Sequence, residues 1–127
     1  MSGRRVLIVD DHPVNRQLPG MLLRGTDWQC DTAASGEEAL AKLNSAPFDV
    51  VLLDISMPDL SGDEVCRRIR ADVRFKTLRV IAYTAHAMEE ARNSILAAGF
   101  DGLLTKPISK QTLFEALAGS NNPGNPS

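Results

Sequence analysis

The chain has 127 residues, the size of one ordinary domain, which excludes a second independent domain. With 43% apolar and 24% charged residues, its composition is that of a soluble globular protein and sets aside disordered, collagen-like and disulfide-framework readings. A net charge of −2 gives no basic footprint for nucleic acid, and no stretch approaches the ~20 apolar residues of a membrane span, so neither is an expected partner and a cytoplasmic location is expected.

The first predicted strand is the apolar run Val6 to Val9, closed by Asp10-Asp11. Helical spacing follows from Pro13 to Arg24, with Pro13 suited to a first turn. Pro19-Gly20 falls inside it and predicts a kink or break. Trp28 to Ala33 is a weaker strand, after which Ser35 reads as the N-cap of a helix from Gly36 to Asn44. Val50 to Leu53 is a third strand ending at Asp54, followed by a helix from Asp63 to Asp72. Val80 to Ala82 leads to Thr84, then to a helix from Met88 to Ala98 with Gly99 as its C′ residue. Leu103-Leu104 is a short strand before Thr105-Lys106-Pro107, and Lys110 to Ala118 is the last helix. Residues 1–119 read as one domain, and Ser120 to Ser127, without an apolar residue, as a disordered tail. Cys30 and Cys66 lack metal or redox spacing and read as buried free thiols.

Strands alternating with helices predict an α/β fold: a doubly wound, five-stranded parallel sheet with helices on both faces. In such a sheet ligands bind beyond the carboxyl ends of the strands, where strand order reverses; for order 2-1-3-4-5 that is between strands one and three. Asp10, Asp11 and Asp54 then meet on strands ~4.8 Å apart, where their mutual repulsion calls for a cation. An all-oxygen donor set with room for water favours Mg²⁺ over calcium. Thr84 lies one strand spacing from Asp54, whereas Lys106 lies two spacings away, ~10 Å, which a long cationic side chain can narrow. A carboxylate between a dication, a hydroxyl and an ammonium is arranged to attack phosphorus in line and become an aspartyl phosphate.

Val-Leu-Ile-Val-Asp-Asp at 6 to 11, Leu-Leu-Asp-Ile-Ser-Met-Pro at 52 to 58 with Gly62, Ala-Tyr-Thr-Ala at 82 to 85 and Leu-Thr-Lys-Pro at 104 to 107 resemble the receiver domains of two-component response regulators. The resemblance covers about Arg4 to Leu117 and implies the flavodoxin-like (βα)5 fold. It implies Asp54 as phosphoacceptor, Asp11 as a direct Mg²⁺ ligand, Asp10 acting through a bound water, the Ser56 backbone carbonyl as a further ligand, Thr84 and Lys106 on the phosphoryl oxygens, and a cis Lys106-Pro107 bond. It further implies a phosphorelay in which a histidine kinase or histidine phosphotransfer protein is the donor and a downstream protein the target, with docking on helix one and the loop after strand five. Receivers commonly carry an aromatic switch residue three positions before the lysine; here Leu103 stands there, so rotation of an aromatic ring is not expected. Phosphorylation is instead expected to move Thr84 and alter the surface of helix four, strand five and helix five.

With no room for an effector domain, the chain is expected to act as a single-domain response regulator, signalling by contact and assisting only its own phosphorylation and dephosphorylation rather than working as an enzyme. The alternative is a pseudo-receiver adaptor that binds partners without phosphate. An independent phosphatase lacks a second acid and a cap, and an FMN-binding relative would need a hydroxyl- or glycine-rich first loop. Relay, output and oligomeric state stay open. His12 reads as a loop residue at a helix start, His86 as an exposed residue with contact to the phosphoryl entrance as its alternative, Met57-Pro58 as loop packing, and Arg67-Arg68 with Arg70 as a solvated helix face.

Overall fold

A computed structural model describes residues 4–55, 57, 60–84, 89–106 and 108–118. Five strands, β1 (Arg5–Val9), β2 (Gln29–Ala33), β3 (Val50–Asp54), β4 (Arg79–Thr84) and β5 (Gly102–Thr105), form one parallel sheet in the order β2-β1-β3-β4-β5. Between and after them run α1 (Pro13–Leu22), α2 (Gly36–Ser45), α3 (Gly62–Arg70), α4 (Glu89–Ala98) and α5 (Lys110–Ala118), with a 3₁₀ turn at Val73–Phe75 that the apolar pattern does not predict.

The strands are apolar on both faces because both faces are covered. Leu7, Val9, Val51, Leu53, Val80, Ala82 and Leu103 point toward α2, α3 and α4. The alternate residues Val6, Ile8, Val50, Leu52, Ile81, Tyr83 and Leu104 point toward α1 and α5. On α5, Leu113 and Leu117 are buried against this second face and Phe114 is half-buried beside them. Ser35 and Ser61 cap α2 and α3, accepting the N–H groups of Glu38 at 3.1 Å and Glu64 at 3.3 Å. Gly99 ends α4 at φ +101°, and a Cβ there would lie 2.8 Å from Arg70 Cγ.

Three sequence expectations are corrected. Helix α1 continues through Pro19 to Leu22, which overturns the break, though not the kink, expected at Pro19-Gly20. Proline removes the N–H that would bond the Asn15 carbonyl, but the Tyr83 hydroxyl donates to that carbonyl at 3.4 Å, and the ladder resumes with Leu23 N–H on the Pro19 carbonyl at 3.0 Å. Cys30 is exposed, because β2 is an edge strand, whereas Cys66 is fully buried. Arg70 is not part of a solvated face: it shares the buried side of α3 with Cys66 and Ile69 and donates to main-chain carbonyls there, while Arg67 and Arg68 pair in the open with Glu64. The tail at 120–127 and the first residue of the predicted fourth helix, Met88, lie outside the described residues.

Candidate functional site

Strands β1 and β3 are neighbours in register, with Val9 opposite Leu53, so their first polar residues emerge together. Asp10 is fully buried and Asp54 and Thr84 nearly so, an arrangement of polar groups that a purely structural sheet end would not need. Lys106 follows β5, and its stem runs back across β4. Its ammonium sits 4.6 Å from the centre of the Tyr83 ring and reaches Asp10 Oδ2 at 2.7 Å and Asp54 Oδ1 at 3.6 Å. The lysine thus spans the sheet from β5 to β1, and its nearer carboxylate is Asp10 rather than Asp54. The Lys106 N–H donates to the Thr84 carbonyl at 2.8 Å, which anchors the base of this side chain to the end of β4.

Asp10 is held on every side. Its Oδ1 accepts the His12 N–H at 2.9 Å, its carbonyl accepts Arg16 Nη1 at 3.0 Å, and its own N–H donates to Ala33. Asp11 is less satisfied: its Oδ1 is buried without a hydrogen bond among the described residues, with His12 Nδ1 3.1 Å away. His12 occupies the N-cap position of α1 but makes no side-chain cap; its imidazole is 70% exposed and turned onto the two acids. Asp10, Asp11 and His12 offer ligand atoms within 4.8 Å of one another, while Asp54 joins them through Lys106.

The residues fit a small hard dication. Two adjacent carboxylates, one with a buried oxygen that lacks a donor among the described residues, are oxygen ligands of the kind Mg²⁺ takes, while Asp54, one strand away, stands outside the group whose ligand atoms lie within 4.8 Å of one another and would have to draw in to complete the set. The Ser56 carbonyl, the Lys106-Pro107 bond, Pro58 and His86 lie outside the described residues; Met57 is buried in the core. Leu103 is likewise buried, packed on the face toward α2–α4.

Three contributors have roles that the motifs do not state, although Gly62 and Tyr83 fall within them. Gly62 lies so close to the acceptor strand that a Cβ would stand 2.4 Å from the Asp54 carbonyl and 2.7 Å from Ile55 Cα, so only glycine lets α3 start here. Arg16 is the second, one turn into α1. The third is Tyr83, 1% exposed, whose hydroxyl is pushed up to about 12 by burial and then by the charges of Asp10 and Asp54, and so stays a proton donor. The alternation that puts Val80 and Ala82 on one face puts Tyr83 on the other, the signal by which it could have been found.

The model for the response regulator receiver domain matches residues 6–118. Among curated proteins, the sensor histidine kinase RcsC of Escherichia coli is 41% identical over 112 residues, 88% of this chain and 12% of the kinase, and that of Salmonella typhimurium is 39% identical over 113 residues, 89% of this chain and 12% of the kinase. The chain therefore spans about one-eighth of the length of these relatives. The solved structure of the chemotaxis protein CheY4 of Vibrio cholerae superposes with a TM-score of 0.86 at 34% identity, covering 91% of this chain and 97% of that one. The receiver domain of the sensor histidine kinase PA1611 of Pseudomonas aeruginosa, which has a magnesium ion coordinated in its active-site cleft, superposes at 0.84 with 30% identity over 97% of this chain and 99% of that one.

Proposed function

Because this chain belongs to the response regulator receiver domain family of two-component signalling, we propose that it accepts a phosphoryl group on Asp54 from a phosphohistidine of a kinase or phosphotransfer protein. The observation that carries this is the Lys106 ammonium lying against both Asp10 and Asp54 at the end of the sheet where β1 and β3 meet. An Asp54 oxygen attacks phosphorus as the P–N bond of the donor breaks; the imidazole nitrogen leaves with the electron pair and takes a proton from water. Lys106 balances charge on the transferring oxygens, and the Thr84 hydroxyl, one strand over, donates to another. Asp10 and Asp11, with Asp54, would hold Mg²⁺, which when bound supplies positive charge to the phosphoryl oxygens.

On this reading the protein helps catalyse only its own phosphorylation and dephosphorylation, works in the cytoplasm and signals through contact with a downstream protein. No helix among the described residues is long and apolar enough to cross a membrane. The similarity to segments of sensor kinases supports a second role for the same chemistry, relay of the phosphoryl group onward to another histidine. Incubation with acetyl phosphate and Mg²⁺, read by intact mass, tests the proposal: wild type gains one acid-stable, base-labile phosphate and Asp54→Asn gains none. Equal labelling of both, or of neither, would leave the adaptor reading in its place.

A further inference from the structure

Two groups in this fold lack partners of their own kind and meet each other. Pro19 has no N–H for the Asn15 carbonyl four residues before it. The Tyr83 hydroxyl, on a side chain 1% exposed, needs an acceptor inside the protein. The hydroxyl donates to that carbonyl at 3.4 Å, a long bond that nonetheless ties β4 to the middle of α1 across 68 residues of sequence. The ring of the same tyrosine lies under the Lys106 ammonium, which in turn holds Asp10 and Asp54. The next residue in the chain is Thr84.

We propose that Tyr83 is a positioning residue that couples the Asp54 pocket to helix α1, its ring seating the Lys106 ammonium and its hydroxyl holding the Asn15 carbonyl. This rests on the reading of Asp54 as phosphoacceptor. A phosphoryl group on Asp54 adds negative charge beside an ammonium now divided between two carboxylates and draws it away from Asp10. Tyr83 is fixed in a buried strand on one side and loaded by that ammonium on the other, so movement at the end of β4 reaches its hydroxyl. The turn of α1 around Pro19, already one N–H short, is the turn of that helix least able to absorb a change in the bond. Linkage makes the effect mutual: whatever stiffens or distorts this turn changes the phosphorylation equilibrium at Asp54.

The test uses beryllofluoride with Mg²⁺ as the phosphoryl mimic and reads backbone amide shifts and hydrogen exchange in wild type, Tyr83→Phe, Pro19→Ala and the double variant. In wild type the mimic should shift Asp54 and Thr84 and change exchange at residues 15–20 by about threefold or more. Tyr83→Phe keeps a ring under Lys106, so the pocket should still respond while the response in α1 falls by half or more. Pro19→Ala returns an N–H to the Asn15 carbonyl and should also silence α1, with Tyr83→Phe then adding nothing. An α1 response unchanged in Tyr83→Phe, beside a responding pocket, overturns the coupling and leaves the phosphoacceptor reading standing. A wild-type pocket indifferent to the mimic overturns both. If Tyr83→Phe does not fold, a full α1 response in Pro19→Ala overturns the coupling by itself.

Discussion

At the amino ends of β4 and β5, the Arg70 guanidinium donates to the carbonyls of Gly99 at 2.9 Å and Leu78 at 2.8 Å and to the Asp101 carboxylate, which also accepts the Val80 N–H at 2.9 Å. At the carboxyl end of the sheet, Lys106 stands between Asp10 and Asp54 with Asp11 alongside, and Arg16 directs its guanidinium to a main-chain carbonyl rather than to a carboxylate. Both ends set acids against a cation. In the first, charge balances and the donors of a rigid fork meet three acceptors in two segments, so the pair acts as a clamp. In the second, acids outnumber the ammonium that faces them, and an oxygen of Asp11 is buried without a hydrogen bond among the described residues. The excess of acids at the second end is what a dication would offset, in keeping with the phosphoacceptor site proposed there.

The sharpest way to break the comparison is to disturb one residue at each end. Arg70→Leu strands the Gly99 and Leu78 carbonyls and leaves Asp101 without its cation, and should cost about 3 kcal/mol in urea unfolding, since the pair is only partly screened by water. A loss under about 0.5 kcal/mol would mean the clamp is no more than a surface pair. Gly62→Ala belongs beside it: the added methyl would stand 2.4 Å from the Asp54 carbonyl, so the loop must move, at about 2 kcal/mol, and phosphate uptake by Asp54 should fall with it.

How much of this contrast can be read along the chain depends on which forces are local. Asp10, Asp11, Asp54, Thr84 and Lys106 stand out because each breaks an apolar run at its carboxyl end, and a parallel sheet gathers such ends. Arg70 hides in a run of arginines, although it follows the buried Cys66 by four residues and therefore shares its helix face. Pro19 reads as a helix breaker because its remedy comes from Tyr83, remote in sequence and placed by tertiary packing alone. Cys30 reads as buried because its neighbours alternate like a core strand; only the position of β2 at the edge of the sheet exposes it. The preference of Lys106 for Asp10 follows from the path of its stem over Tyr83, which strand spacings do not contain.

Divalent cations separate the two ends next. Saturating Mg²⁺ at one hundred times its dissociation constant should stabilise the protein by about 2.7 kcal/mol, seen as a rise in Tm that EDTA reverses. Asp11→Asn should lose most of that rise and, without any cation, unfold at a stability about 1 kcal/mol above wild type, because one of the crowded carboxylates is gone. Asp101→Asn, the matching change at the clamp, should be destabilising with or without Mg²⁺. An Asp11→Asn protein less stable than wild type in EDTA would show that the acids at the carboxyl end are satisfied as they stand.

A last comparison sets side by side two buried acids that titrate in alkali. Burial pushes both the Tyr83 hydroxyl and the Cys66 thiol up to about 12, from ordinary values of 10 and 9. At Tyr83 the charges of Asp10 and Asp54 add to burial; at Cys66 the next influence, Arg70, opposes it and Asp101 reinforces it. A folded value above the unfolded one means that the stabilisation is complete below the unfolded value and is lost as pH rises from there toward 12. Wild type should therefore lose about 1 kcal/mol relative to Tyr83→Phe between pH 9 and 11. Cys66→Ala should remove a loss that begins one unit lower. Calcium, which stays soluble in alkali where magnesium precipitates, can stand in as the dication, and it should shrink only the Tyr83 component, because only that group feels the acids the cation neutralises. Equal shrinkage of both would mean that the two ends of the sheet are not electrostatically distinct.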